Sequence, residues 1–280
     1  MRRPQVVTIG VVNSSALERP AWSPAARYRH TLWLLTKRDL KVRYSTSVLG
    51  YVWSILDPLV MAAIYWFVFT QIFDRSVAGE DPYIVFLLAA LLPWTWFNGA
   101  VSDSTRAYIR GAKLIRSTNI PRTIWVASIV CSKGIEFVLS LPVLLVFAIF
   151  SSAELHWEAV YFVLGLAIQF VLTLGVSLIV APLVVFFRDL ERAVKLVLRF
   201  LFYASPIIYG AGAYAAVGPA FHTIAAFNPL TGIFSLYRAA FYPDQLDWFA
   251  VGIGAAMSVA LFALGLVVFK RTERAVLKEI

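Results

Sequence analysis

Thr105–Arg122 reads TRAYIRGAKLIRSTNIPR. It carries Arg106, Arg110, Lys113, Arg116 and Arg122 and no acid, while long apolar runs end near Val101 and restart at Ile124. A short basic loop between two apolar runs of membrane length faces the cytoplasm, because lysine and arginine are retained on that side. Inside the loop, Leu114-Ile115 forms an apolar knuckle closed by Asn119-Ile120-Pro121. An apolar pair in so basic a loop reads as the place where a cytoplasmic partner takes hold of the membrane part.

The rest of the chain agrees with this membrane reading. Of its 280 residues 60% are hydrophobic and 15% charged, and the mean hydropathy is +0.75; soluble chains carry about 25% charged residues. The fold expected is an all-α integral membrane protein. Six spans are expected, near 51–73, 83–101, 124–150, 157–187, 193–209 and 248–269, each close to the ~20 residues that cross the hydrocarbon layer. Ser205-Pro206 breaks the fifth. Nine lysines and arginines precede residue 54, five lie in 103–123, four in 188–199 and four after 269, against Arg75 and Arg238 in the presumed outer loops. Both termini are therefore expected in the cytoplasm, as an even number of spans requires. The same clustering explains the net charge of +9 without a nucleic-acid partner.

Three further segments frame the spans. Residues 1–26 are expected as a retained cytoplasmic tail, since a cleaved signal would leave the cations of 27–43 outside. Residues 27–50 are expected as an amphipathic helix at the membrane surface, with Tyr28, Leu32, Leu35, Val42 and Leu49 on one face. Asp39 and Arg43 intrude on that face. The helix serves either as an anchor for anionic headgroups or as a gate. Residues 51–280 form the spanning domain. Asp57-Pro58 and Asn228-Pro229 each read as a helix N-cap followed by proline at the first helical position. The apolar stretch 210–247 predicts two short re-entrant helices, with Phe234, Tyr237 and Phe241 at helical spacing.

Chemistry-bearing motifs are sparse. There is no Gly-x-x-x-x-Gly-Lys-Ser/Thr phosphate loop. His30, His156 and His222 are dispersed, and the single Cys131 allows neither a disulfide nor a thiolate metal site. No catalytic residue and no metal is expected. Lys133 and Glu136 are intramembrane charges spaced to pair on one face of span three, as a structural pair or part of a proton path. Trp94, Trp96, Trp125 and Trp157 read as an interfacial belt. Tyr65, Phe69 and Phe73 form a stripe along span one with Trp66 beside it, and Tyr203 and Tyr209 lie in span five. These aromatics read either as helix packing or as a wall on which sugars stack.

Four segments carry a family resemblance: RDLKVRYSTSVLGYVWSILDP at 38–58, GAKLIRSTNIPRTIW at 111–125, FFRDLERAVKLVLRFLFYASPIIY at 186–209 and FNPLTGIFSLYR at 227–238. Together they resemble the permease subunit of ABC-2 type polysaccharide exporters, the family that handles O-antigen, teichoic acid, capsule and galactan, and are most like its mycobacterial galactan branch. The resemblance implies a homodimer bound to two copies of an ATPase subunit, which would hold the ATP and magnesium that this chain lacks. It implies that Leu114, Ile115, Arg116, Asn119, Pro121 and Arg122 couple to that ATPase. Tyr65, Trp66, Phe69, Phe73, Tyr203 and Tyr209 would line the conduit, and Asn228, Pro229, Phe234, Tyr237 and Arg238 would form its outer gate. The cargo implied is a polysaccharide on a polyprenyl diphosphate, moved across a bacterial plasma membrane. A small hydrophobic drug or lipid is the alternative cargo. A membrane-embedded glycosyltransferase is the alternative class, and it would need acids or histidines gathered at one interface.

Overall fold

The computed structural model describes residues 23–45, 50, 52–68, 82–117, 120–210 and 218–279. The helices are α1 (Pro24–Tyr44), α2 (Val52–Trp66), α3 (Tyr83–Ser104), α4 (Ala107–Ser117), α5 (Thr123–Phe150), α6 (Tyr161–Phe186), α7 (Leu190–Ala204), α8 (Pro219–Ala226), α9 (Pro229–Arg238) and α10 (Trp248–Glu279). Short 3-10 turns at Trp157–Val160 and Pro243–Gln245 precede α6 and α10. The described residues are thus all-helical, as a chain that must satisfy its backbone within lipid requires.

Among the described residues, four helices are long and apolar enough to cross a membrane: α3, α5, α6 with its preceding turn, and α10. Helices α2 and α7 have 15 residues each, or about 22 Å at 1.5 Å per residue. Four of the six expected spans are therefore legible from length alone.

Helix α3 is the hub. Of its most apolar stretch 78% is buried within the chain, against 22% for α10, so α3 is wrapped by protein while α10 keeps an apolar outer face. This corrects the reading of the tryptophans. Trp94, Trp96 and Trp125 are 5%, 4% and 4% exposed and pack in the core; Trp157 alone of the four is exposed. Trp96 Nε1 donates to the Val130 carbonyl of α5 at 3.1 Å, which gives a buried indole N–H its partner.

Helices α6 and α10 lie backbone to backbone. A β-carbon built on Gly175 would sit 2.6 Å from the Phe262 amide nitrogen, and one on Gly265 would sit 2.6 Å from the Gly175 carbonyl oxygen. Small residues allow such close approach where lipid supplies no hydrophobic driving force. Buried Gln169 of α6 adds a polar link, its Nε2 donating to the Pro93 carbonyl of α3 at 2.7 Å.

The two expected caps part ways. Asn228 caps α9: its side chain accepts from the Leu230 amide at 3.1 Å, with Pro229 in the first turn. Asp57 does not cap. Asp57 and Pro58 lie inside α2, which starts at Val52. Between α1 and α2, Gly50 has a φ of +49°, a left-handed conformation that glycine adopts without a β-carbon penalty.

Candidate functional site

Helix α1 begins at a Ser23 cap with Pro24 behind it. Its inward face carries Tyr28, Leu32 and Leu35 into a core with Tyr108, Ile115, Ile124, Trp125, Phe269 and Val276. Val42, expected on that face, is exposed, and Leu49 lies outside the described residues. The two charges that spoil the amphipathic pattern have partners. Asp39 Oδ2 accepts from Ser128 Oγ at 2.9 Å. Arg43 Nη2 donates to Asp103 Oδ2 at 2.6 Å, and its Nε lies 3.5 Å from Glu136 Oε1.

This places the Lys133–Glu136 pair. Lys133 Nζ donates to Glu136 Oε2 at 2.8 Å and stands 4.0 Å from Asp103. The pair thus belongs to a network with Arg43, Asp103 and Arg110, the last 3.8 Å from Asp103, that joins α1, α3, α4 and α5. Mutual pairing offsets much of the desolvation that isolated buried charges would suffer. A cavity of about 660 Å³ opens beside it, lined by Arg38, Asp39, Arg43, Asp103 and Arg110 among others.

The Leu114-Ile115 knuckle lies on α4, and helical geometry splits it. Ile115 is 2% exposed and packs inward; Leu114 is 40% exposed. Neighbouring residues on a helix point about 100° apart, so one helix face cannot present both. Of the pair, Leu114 is the more exposed side chain and Ile115 the one packed inward. Arg116 and Pro121 are exposed. Arg122 donates to Glu273 Oε1 of α10 at 3.1 Å, and Asn119 lies outside the described residues. Tyr108 and Ile115 pack α4 against α5, α6 and α10.

The turn that leads into α4 makes a second link. Arg106 Nε and Nη2 donate to the two Glu191 oxygens of α7 at 2.8 and 2.6 Å, and Lys195 donates to the same carboxylate at 2.7 Å. These hydrogen bonds from Arg106, then Lys195, hold the Glu191 carboxyl down at about 2. A depressed carboxyl stabilises the folded contact above its unfolded value and loses that contribution as pH falls through the folded one. The contact is therefore expected to be unchanged from about pH 8 to about pH 5; the Glu191 side-chain resonance titrated by NMR would check this.

The aromatics divide as well. Tyr65 of α2 stacks on Phe202 at 5.8 Å, Trp94 meets Phe202 edge-on at 5.6 Å, and Phe202 meets Tyr203 at 5.1 Å. They wall a cavity of about 410 Å³ with Asp57, Thr95 and Asn98 as its polar side. Tyr209 OH donates back to the Tyr203 carbonyl at 2.8 Å. Trp66 instead lines a separate cavity with Leu59, Tyr83 and Phe147. Phe69 and Phe73 lie outside the described residues. Phe202 follows directly from its neighbour Tyr203, whereas Trp94 was misread as interfacial.

Of the expected outer-gate residues, Asn228 donates to Ser205 Oγ at 2.8 Å. Phe234, Tyr237 and Arg238 are buried at 0%, 0% and 2% exposure, so they face the protein interior rather than an opening. Arg238 was expected in an outer loop. Instead its guanidinium lies 3.6 Å over the Phe86 ring and donates to the Ile207, Tyr209 and Phe86 carbonyls at 2.7, 3.3 and 3.3 Å.

The sequence profile of the ABC-2 type transporter family matches residues 30–242, taking in most of α1, the Arg106–Glu191 contact and the aromatic wall. The chain belongs to the ABC-2 type transporter family. It is 35% identical over 246 residues, 86% of this chain and 92% of the relative, to the O-antigen export system permease protein RfbA of Klebsiella pneumoniae. It is 31% identical to the protein of that name from Myxococcus xanthus, over 84% of this chain and 89% of the relative. It is 22% identical to the polysialic acid transport protein KpsM of Escherichia coli, over 88% and 95%. As an ABC-2 transporter it is a multi-pass protein of a bacterial membrane.

Proposed function

We propose that this ABC-2 chain is the permease subunit of an ATP-driven exporter that moves a polysaccharide carried on a polyprenyl diphosphate out through the plasma membrane. The observation that carries the reading is the likeness to O-antigen export permeases over nine-tenths of their length. The wall of Tyr65, Trp94, Phe202 and Tyr203, with Asp57, Thr95 and Asn98 beside it, supports it. Sugar rings stack on aromatic faces while their hydroxyls need polar groups. A small hydrophobic cargo would use the rings but not that polar side. An O-antigen-like or galactan-like polymer fits equally.

In this reading the transporter has six spans and both termini in the cytoplasm, and it works as a homodimer with two copies of an ATPase subunit. ATP and magnesium belong to those subunits. The contacts Arg43–Asp103, Arg106–Glu191 and Arg122–Glu273 involve segments where the lysine and arginine excess belongs to the cytoplasmic side by the positive-inside rule. In this reading α8 and α9 are the two short re-entrant or interfacial helices.

Docking through Leu114 is testable. Leu114→Asp is expected to abolish export and transport-stimulated ATPase activity, with membrane insertion unchanged, because the substituted side chain is exposed. Ile115→Asp is no test, since it would bury a carboxylate. Depletion of the transporter is expected to leave polyprenyl-linked polymer on the cytoplasmic side. An unchanged polymer distribution would overturn the cargo class.

A further inference from the structure

We infer that the Arg106–Glu191 link is the positioning contact that turns movement of α4 into opening of the α4-side mouth of the aromatic cavity, with α7 as the swinging strut. The inference rests on the proposed role of α4 as the ATPase docking helix.

Within one chain, helix α7 packs on the core along one stripe, to which Val194 and Leu201 contribute while partly buried. Its buried residues are Leu198 and Phe202, whereas Leu196, Val197, Phe200 and Tyr203 are exposed. Its two ends are held, and differently. Beyond its last residue, three successive carbonyls are captured by the bundle. Arg238 takes those of Ile207 and Tyr209, and Tyr83 OH donates to that of Ile208 at 2.9 Å. Asn228 ties Ser205 to α9 as well. This end is a pivot set in the core.

The other end is gripped by charge. Glu191 receives both donors of the Arg106 fork and the Lys195 ammonium. Surface ion pairs are weak as a rule, and the exceptions are bidentate arginine–carboxylate pairs and networks. This contact is both. Arg106 stands in the turn between Ser104 and Ala107, so a push on α4 reaches Glu191 through one rigid planar group.

The lever arms follow from helical rise. Measured from Ser205, Lys195 lies about 15 Å along the axis and Phe202 about 5 Å, at 1.5 Å per residue. A swing about the pivot therefore moves Lys195 roughly three times, and Arg199 roughly twice, as far as Phe202. Both line the aromatic cavity. The motion widens the mouth near Lys195 and leaves the rings at Phe202 nearly in place. Nothing in the stroke requires the aromatic wall to come apart.

The test uses the permease–ATPase complex in proteoliposomes, in a Lys195→Gln background so that an arginine at position 191 meets no lysine, with Lys195→Gln alone as the reference. Arg106→Glu and Glu191→Arg, singly, are expected to lower polymer exported per ATP hydrolysed by about tenfold, within the usual range of coupling between sites. Subunit co-purification and basal ATPase activity stay unchanged. The double reversal is expected to restore coupling to within about threefold. Normal export by Glu191→Arg, loss of co-purification, or failure of the double reversal to rescue would each overturn the link. Leu114→Asp separates the two readings. If it leaves export intact, the docking role of α4 falls; if it abolishes export while Glu191→Arg does not, the strut alone falls.

Discussion

Arg238→Ala is expected to lower the unfolding temperature of the detergent-solubilised transporter by roughly 10 °C, taking about 3 kcal/mol for the change and a few degrees for each kcal/mol. The magnitude follows from what the guanidinium does. The Ile207 and Tyr209 carbonyls lie beyond the end of α7, outside any helix, and they accept from Arg238 in a site that is 2% exposed. Hydrogen bonds to a charged donor are the stronger class, and stranding a buried acceptor adds its desolvation cost. Loss of the ring contact with Phe86 adds to this. Arg238→Lys is expected to fall between, because an ammonium keeps the charge without the planar fork that reaches three carbonyls at once. Thermal unfolding followed by circular dichroism, with the variants ranked Arg, Lys, Ala, checks the account; equal melting of all three would refute it.

Gly175→Leu is expected to prevent assembly of α6 on α10. Even the first atom of a side chain meets backbone: 2.6 Å to the Phe262 nitrogen and 2.7 Å to its Cα. No flexible side chain is there to move aside. Overpacking ordinarily costs about 1–3 kcal/mol, and here the helices must separate, which also disturbs Gly265 against the Gly175 carbonyl. Gly175→Ala should cost about 2–3 kcal/mol. Gly252→Ala is the control, because nothing lies within 4 Å of its added carbon. It should be neutral or stabilising by up to about 1 kcal/mol, the helix preference of alanine. Expression of folded protein, read by size-exclusion chromatography in detergent, distinguishes the pair.

Run length made much of this architecture legible. The boundaries near 83–101, 124–150 and 248–269 fall within α3, α5 and α10, and Ser205-Pro206 ends α7 as expected. The Lys133–Glu136 pair follows from helical spacing alone. What was hidden depends on partners remote in the chain. An arginine flanked by turn residues looks exposed until Phe86 and Ile207 close over it. Trp94 and Trp96 near a span end look interfacial unless α3 is known to be enclosed. Leu114 and Ile115 look equivalent until helical rotation turns one inward. Asp39 and Arg43 looked like flaws in an amphipathic face because Ser128 and Asp103, which complete them, lie on other helices.

The closeness of Lys133 to Glu136 also bears on how the chain enters the bilayer. An ionised residue at the centre of an inserting helix costs about 2.5–3.5 kcal/mol on translocon scales. Here the opposite charges sit three residues apart and meet at 2.8 Å. Helix α5 thus carries its own counter-ion and can be released into lipid as an electrically neutral segment. Its membrane integration need not wait for Arg43 and Asp103 to be in place; those residues are met afterwards, as the helices assemble.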